Sequence, residues 1–299
     1  MLRPNKGNSQ STWRPIDEYQ ALPLIRDAVN WIDNEGTFIS YAIAKLYGVL
    51  RRTIGRTKWD TVDEVNRTYA ILEQDHRMAH LRDALSDHAG PTHNVISNAI
   101  SQTEGACLIA LLFLVGFRCR ELVALNADTV TLDKCADGCS IYRLKGIAAK
   151  KGGATRTWVA SDSVIKVVEF IKGLYAPIRQ SAQVNALFIG RSGWAAFVPT
   201  FKVKRLSIGS VAKRIKIFAT APHRSSSPIV QGLHPHAARK TFAHFVVLRD
   251  KRALESLSYH YGHTHRMITD GYYIGSDIQL AKLIDEEGRR DLANGLAGR

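Results

Sequence analysis

Five short stretches, far apart in the chain, carry residue types suited to handling a phosphate. The first is Gly116-Phe117-Arg118-Cys119-Arg120-Glu121-Leu122. A guanidinium binds phosphate through two parallel hydrogen bonds and keeps its charge at any working pH. Glu121, three residues beyond Arg118, falls within reach on the same helical face. The second is a Lys- and Gly-rich turn in which Lys145, Lys150 and Lys151 precede Gly152-Gly153. In the third, Pro235-His236-Ala237-Ala238-Arg239, the i, i+3 spacing puts His236 and Arg239 on one side of a helix that has Pro235 in its first turn. The fourth is Gly262-His263, and the fifth is Tyr272 with Tyr273 beside it. Each stretch alone has an ordinary reading: a helix-end arginine paired with a carboxylate, a solvated basic turn, aromatic residues anchoring a last helix. Together they could break a phosphodiester without a metal, because cationic donors stabilise the charge that builds up on a pentacoordinate phosphorus. The chain has no Walker A loop, no His-Glu-x-x-His and no convincing carboxylate cluster for Mg²⁺, so no cofactor or metal is expected.

These residues need elements to hold them. Apolar residues at helical spacing predict helices over 24–32, 39–54 and 61–85, after a polar, disordered lead-in at 1–12. Residues 86–91 are short, polar and closed by Gly90-Pro91, which makes them the best linker. The expected division is therefore a helical N-terminal domain, 1–91, and a second domain, 92–299. In the second, a helix over 95–115 leads into Arg118, and β-prone segments at 140–144 and 157–160 flank the lysine turn. Helices follow over 164–175, 206–219 and 231–249, the last carrying His236 and Arg239. The end of the chain reads as helical, with an apolar stripe of Leu280, Leu283 and Ile284. The expected fold class is mainly α with a small antiparallel β-sheet (α+β).

The 299 residues are 45% hydrophobic and 23% charged, ordinary for a globular protein, but 41 Lys and Arg against 27 Asp and Glu leave a net charge of +14. That excess calls for a polyanionic partner, nucleic acid or an anionic membrane surface. The longest apolar run, 106–115, is too short to cross a bilayer, and residues 1–15 lack the apolar core of a signal peptide, so no membrane partner and a cytoplasmic location are expected. In that compartment Cys107, Cys119, Cys135 and Cys139 do not make a disulfide framework, and Cys135-x-x-x-Cys139 has no second ligand pair for zinc. Two basic clusters, 51–58 and Lys202, Lys204, Arg205, Lys213, Arg214 and Lys216, suit a surface that tracks DNA phosphates.

Taken in order, Arg, Lys, His-x-x-Arg, His and Tyr resemble the active site of the tyrosine recombinases, the phage-integrase family. Gly-x-Arg-x-x-Glu-Leu matches at 116–122, and Pro-His-x-x-Arg-Lys-Thr-Phe-Ala at 235–243 is similar to the second box, with Ala238 where Leu is usual and Lys240 where His or Arg is common. The family's nucleophile commonly lies nine residues after the third-box histidine, which selects Tyr272 after His263, with Tyr273 as competitor. Its hairpin lysine often precedes the arginine opening the next strand by five, which selects Lys151 before Arg156 and leaves Lys145 and Lys150 open. The resemblance implies that Arg118, Arg239 and His263 clamp the phosphate and Tyr272 attacks it to leave a 3′-phosphotyrosyl link. Lys151 would protonate the departing 5′ oxygen, and His236 would assist proton movement. It further implies site-specific recombination of double-stranded DNA for a mobile genetic element, a tetramer on synapsed sites exchanging C-terminal segments, DNA-bending accessory proteins and association with the nucleoid. By analogy, residues 1–91 are the core-binding domain. The alternatives are a catalytically inactive accessory of the same fold and a type IB topoisomerase. The short chain and unusual start also fit a piece of a longer integrase.

Overall fold

The computed structural model describes residues 14–134, 140–149, 153–190 and 203–261. Four helices come first: α1 (Glu18–Asn34), α2 (Gly36–Arg52), α3 (Lys58–Glu73) and α4 (His76–Leu85). They pack around α5 (Thr92–Val115), which ends one residue before the first motif. The short α6 (Cys119–Ala124) follows, then strands β1 (Val130–Lys134), β2 (Ser140–Ile147) and β3 (Thr155–Ala160) in an antiparallel sheet of order β1-β2-β3. Next come α7 (Asp162–Leu174), α8 (Ala176–Ala182) and a two-stranded pairing of β4 (Ile189–Gly190) with β5 (Lys204–Arg205). The described chain closes with α9 (Ile208–Ala219), α10 (Pro235–Arg249) and α11 (Leu254–Tyr261). The protein is mainly helical with small antiparallel sheets, as its sequence pattern implied.

α5 is the axis of the molecule. From Ala99 to Phe113 every residue is buried, because α1, α9 and α10 cover the helix from different sides. By length and composition this helix could cross a membrane, and it is longer than the apolar run that marks it in the sequence, but here it is the core. The helices before residue 92 join that core directly. Trp31 Nε1 donates to Thr103 Oγ1 at 3.0 Å, the Ile16 N–H donates to Thr241 Oγ1 at 2.8 Å, and one hydrophobic cluster runs from Ile16 to Ala238. The 86–91 stretch is a compact turn: Ser86 takes a left-handed conformation, and Arg82 Nη1 donates to the carbonyls of Asp87 and Gly90.

The single helix expected over 61–85 is two. Asp75 breaks it by capping α4, accepting from the Arg77 N–H at 3.0 Å and gripping the Arg77 guanidinium at 2.6 Å. The helix expected from 231 begins at Pro235, because His234 takes the extended cap conformation and its Nδ1 accepts from the His236 N–H. The strand β1 had no counterpart in the sequence reading. It is an exposed edge, tied to β2 by an ion pair between Asp133 and Arg143. The lead-in, Cys135 and Cys139, and the stripe of Leu280, Leu283 and Ile284 lie outside the described residues.

Candidate active site

The first motif is a helix stop followed at once by a helix start. Gly116 ends α5 at φ 71°, the left-handed region that glycine enters without steric cost. A Cβ there would also lie 2.6 Å from the Phe242 ring and 2.7 Å from the Tyr261 hydroxyl, so the position needs glycine twice over. The turn buries Phe117 edge-on against Trp158 of β3 and leaves Arg118 as the cap of α6. Glu121, fully buried, accepts from the Arg118 N–H at 2.8 Å and from Arg118 Nη1 at 3.0 Å. This much is the helix-end pair that the sequence allowed as a bland reading.

The second box brings another guanidinium to the same carboxylate. Arg239 is completely buried, its Nη1 donates to the carbonyl of Gly116, and the same nitrogen lies 3.7 Å from Glu121 Oε2. The Tyr261 ring lies over the guanidinium with its centroid 3.5 Å away, and the Tyr261 hydroxyl donates to the Arg239 carbonyl at 2.6 Å. His236, three residues earlier, is exposed at the margin of α10, with its ring stacked on His234. Positions i and i+3 differ by about 60° around a helix, enough to put one inside and the other at the edge.

The β2–β3 hairpin supplies a third cation. Arg156, Trp158 and Ala160 point inward on β3 while Thr155, Thr157 and Val159 face out. Arg156 donates through Nη1 to the Tyr261 carbonyl at 2.6 Å and through Nη2 to the carbonyls of Tyr259, at 3.0 Å, and His260. The backbone N–H of Ala149, on the same hairpin, donates to Glu121 Oε1 at 3.4 Å. Lys145 pairs across the hairpin with Thr157, so it stands exposed on the face opposite Arg156. Lys150, Lys151, His263, Tyr272 and Tyr273 lie outside the described residues, so of the expected site residues the structure brings together Arg118 and Arg239 and places His236 at the edge.

Among the described residues of this cluster positive charge outweighs negative. Burial pulls the Arg156 guanidinium down to about 10, and the neighbouring Arg239 and Arg118 add to that, with Glu121 opposing. Burial pushes His260 down to about 4, again helped by Arg239 and Arg156, and its Nε2 donates to the Val115 carbonyl at 2.8 Å. Cys119, next to Arg118, is raised to about 11 by burial and is no thiolate nucleophile at neutral pH. Among the described residues no group of His, Cys, Asp and Glu is arranged to hold a metal. What the cluster can do is receive an anion. Sequence reasoning passed over His260 and Tyr261 and used Arg156 only to count back to Lys151; the signal for Arg156 was an arginine alternating with buried Trp158 and Ala160 on one strand face.

The wider basic surface is thinner than the sequence suggested. Arg205 donates to the carbonyls of Val123 and Leu125 at the end of α6, and Arg214 is paired with buried Glu104. Lys204, Lys213 and Lys216 remain exposed. In the other cluster Arg51 donates to the Pro177 carbonyl, and Arg52 and Arg56 lie within 3.9 Å and 3.6 Å of Glu64.

No protein-family model matches the chain. Over 212 residues it is 26% identical to the tyrosine recombinase XerC of Alcanivorax borkumensis, an alignment covering 70% of this chain and 57% of that protein. The chain thus spans little more than half the length of the curated relative, and its similarity to the tyrosine recombinases extends well beyond the short motifs. Two structures of the Tn1549 transposon integrase also match. One is bound to circular intermediate DNA and the other to transposon right end DNA; each has a TM-score of 0.36 over 82% of this chain and 84% of the other, at 16% and 15% identity.

Proposed function

We propose that this protein is a site-specific tyrosine recombinase of double-stranded DNA, serving a mobile genetic element. The observation that carries the reading is the meeting of Arg118 and Arg239, from two distant motifs, around one buried carboxylate with a third arginine alongside. Glu121 spreads and orients the guanidiniums while their combined charge exceeds its own, which suits a scissile phosphate. In the reaction, the Tyr272 oxygen bonds to phosphorus as the bond to the 5′ oxygen breaks. The tyrosyl proton passes toward His236, and Lys151 protonates the departing 5′ oxygen. Arg118, Arg239 and His263 bind the non-bridging oxygens, so the negative charge of the pentacoordinate state is met by groups already in place. The 5′-hydroxyl of a second strand reverses the sequence, conserving the bond energy for rejoining. Within this reading residues 1–91 contact DNA and 92–299 carry the chemistry, in the cytoplasm, as a tetramer on synapsed sites assisted by DNA-bending proteins.

One observation favours a second reading, a DNA-binding accessory that does not cut: Arg239 lies fully buried beneath Tyr261. The same experiment decides between them. On a nicked suicide substrate, in EDTA and without ATP, the protein should form a covalent adduct. Tyr272→Phe should bind DNA normally and form none, and Tyr273→Phe should still form one, with peptide mapping placing the link on Tyr272. A link on Tyr273 moves the nucleophile by one residue. The absence of any adduct favours the accessory, and strict Mg²⁺ dependence would assign the chemistry to another class.

A further inference from the structure

Arg156 belongs to the arginine cluster, yet the recombinase reading gives it no role of its own. Both terminal nitrogens of its guanidinium are committed to the carbonyls of Tyr259, His260 and Tyr261, the last turn of α11. Three successive carbonyl oxygens are well matched to a forked cation with several donors. Two of these residues, His260 and Tyr261, make separate contacts with the arginine motifs. Tyr261 covers the Arg239 guanidinium and donates to the Arg239 carbonyl, whereas His260 donates to Val115, one residue before the Gly116 turn that launches Arg118. Arg239 in turn donates to Gly116.

We infer that Arg156 is a positioning residue: by clasping the end of α11 it holds Tyr261 against Arg239 and His260 against the Arg118 turn, and so aims both arginines at one point. It acts through α11 and not by touching phosphate, because its terminal donors face carbonyl oxygens. This rests on the recombinase reading, since the point of aim is the scissile phosphate. It also gives the lysine-bearing hairpin a mechanical connection to the two arginine motifs, which the Ala149 N–H to Glu121 contact reinforces.

The test compares Arg156→Ala and Arg156→Lys in the full chain for adduct formation, DNA affinity and thermal midpoint, with a substrate whose leaving 5′ oxygen is replaced by sulfur as a further arm. A sulfur leaving group departs without protonation, so it relieves a missing general acid but not a misplaced charge clamp. For Arg156→Ala, adduct formation should slow on the order of 10²-fold, the penalty for a misplacement of about 1 Å, with DNA affinity unchanged and no recovery on the sulfur substrate. Arg156→Lys keeps a point charge at the helix end without the fork, and should recover part of the rate. Adduct formation at the wild-type rate by Arg156→Ala overturns the proposal, as does full recovery on sulfur, which makes Arg156 serve the leaving group. Loss of DNA affinity in step with rate makes it a DNA contact and overturns it too. If Arg156→Ala does not fold, Arg156→Lys decides: slower at unchanged affinity supports the role, and wild-type rate ends it. A wild-type protein that forms no adduct overturns the recombinase reading and this one with it, whereas an active wild type beside an equally active Arg156→Ala overturns this one alone.

Discussion

Two buried carboxylates, Glu104 and Glu121, sit near opposite ends of the same stretch of chain and do different work. Glu104, in the middle of α5, is held by one guanidinium, Arg214 at 2.7 Å, and by the Tyr175 hydroxyl, while Arg214 also donates to Ser101 Oγ at 2.7 Å. That network joins α9 and the residue after α7 to α5 at a point where Gly105 lets α9 approach so closely that a Cβ would lie 2.6 Å from the Arg214 carbonyl. Among the described ion pairs one anion here meets one cation. Glu121 faces Arg118 and Arg239, with Arg156 near enough to feel all three. Buried charge is costly unless compensated, so a cluster in which, among the described residues, cations outnumber anions fits the proposed phosphate site. The ratio of charges, more than their burial, separates a rivet from a site.

The comparison breaks most visibly if its two sides are mutated in parallel. Arg118→Ala or Arg239→Ala should lower adduct formation by about 10²–10³-fold or more, the scale on which preorganised donors act. DNA affinity should largely persist, because other cations supply it. Near wild-type cutting by both variants would remove Glu121 and its arginines from the chemistry. On the other side, Arg214→Ala strands Glu104 in the core and should cost about 3–5 kcal/mol of folding free energy. Adduct formation per folded molecule should stay as it was. Denaturant titration measures the first quantity and a suicide substrate the second, and an Arg214→Ala protein that folds stably but no longer cuts would invert the assignment.

The sequence exposed one side of this comparison and concealed the other. Arg118 and Glu121 lie three residues apart, and the His-x-x-Arg box rides on a helix whose proline and cap are visible in the letters around it. Short-range spacing of this kind survives in a linear reading because the backbone geometry is local. Nothing local says that Arg214 belongs to Glu104, more than a hundred residues away; in the letters it looked like one more cation of a basic stripe. Arg205 deceived in the same way, being spent on the end of α6. The break at Asp75 was missed because apolar spacing continues across it, while the capping that ends the pattern is a side-chain event. The placement of Arg156 required the β2–β3 register, and the covering of Arg239 by Tyr261 required α11 to fold back on α10.

The finest test of the contrast is acid stability, since a titrating histidine lies in each neighbourhood of the fold. His260 belongs to the surplus cluster, where Arg239 and Arg156 push it down and Glu121 pulls it up. His223 packs between Trp31 and Phe218, where α1 meets the end of α9, beside Arg224 and Asp27. Burial lowers both to about 4 from 6.5. Each is therefore neutral in the folded protein at pH 7, whereas the unfolded chain takes up a proton as pH falls through about 6.5. The folded state then binds fewer protons than the unfolded one, so the stability is fully present above that pH and is lost as pH drops toward 4. For His260 the displacement corresponds to about 3 kcal/mol, and the effect of His223, whose two ring nitrogens are buried, is of the same order. His260→Gln keeps a donor for the Val115 carbonyl without titrating, and should flatten the fall in urea midpoint between pH 6.5 and 4; His223→Leu should flatten it to a similar extent. The two then part company when DNA is added. A phosphate seated on Arg118 and Arg239 offsets the positive charge that depresses His260, so its titration, followed by NMR, should move upward while that of His223 stays put. Equal movement of both would mean that DNA acts on the fold as a whole, and no movement of His260 would place the phosphate somewhere other than the arginine cluster.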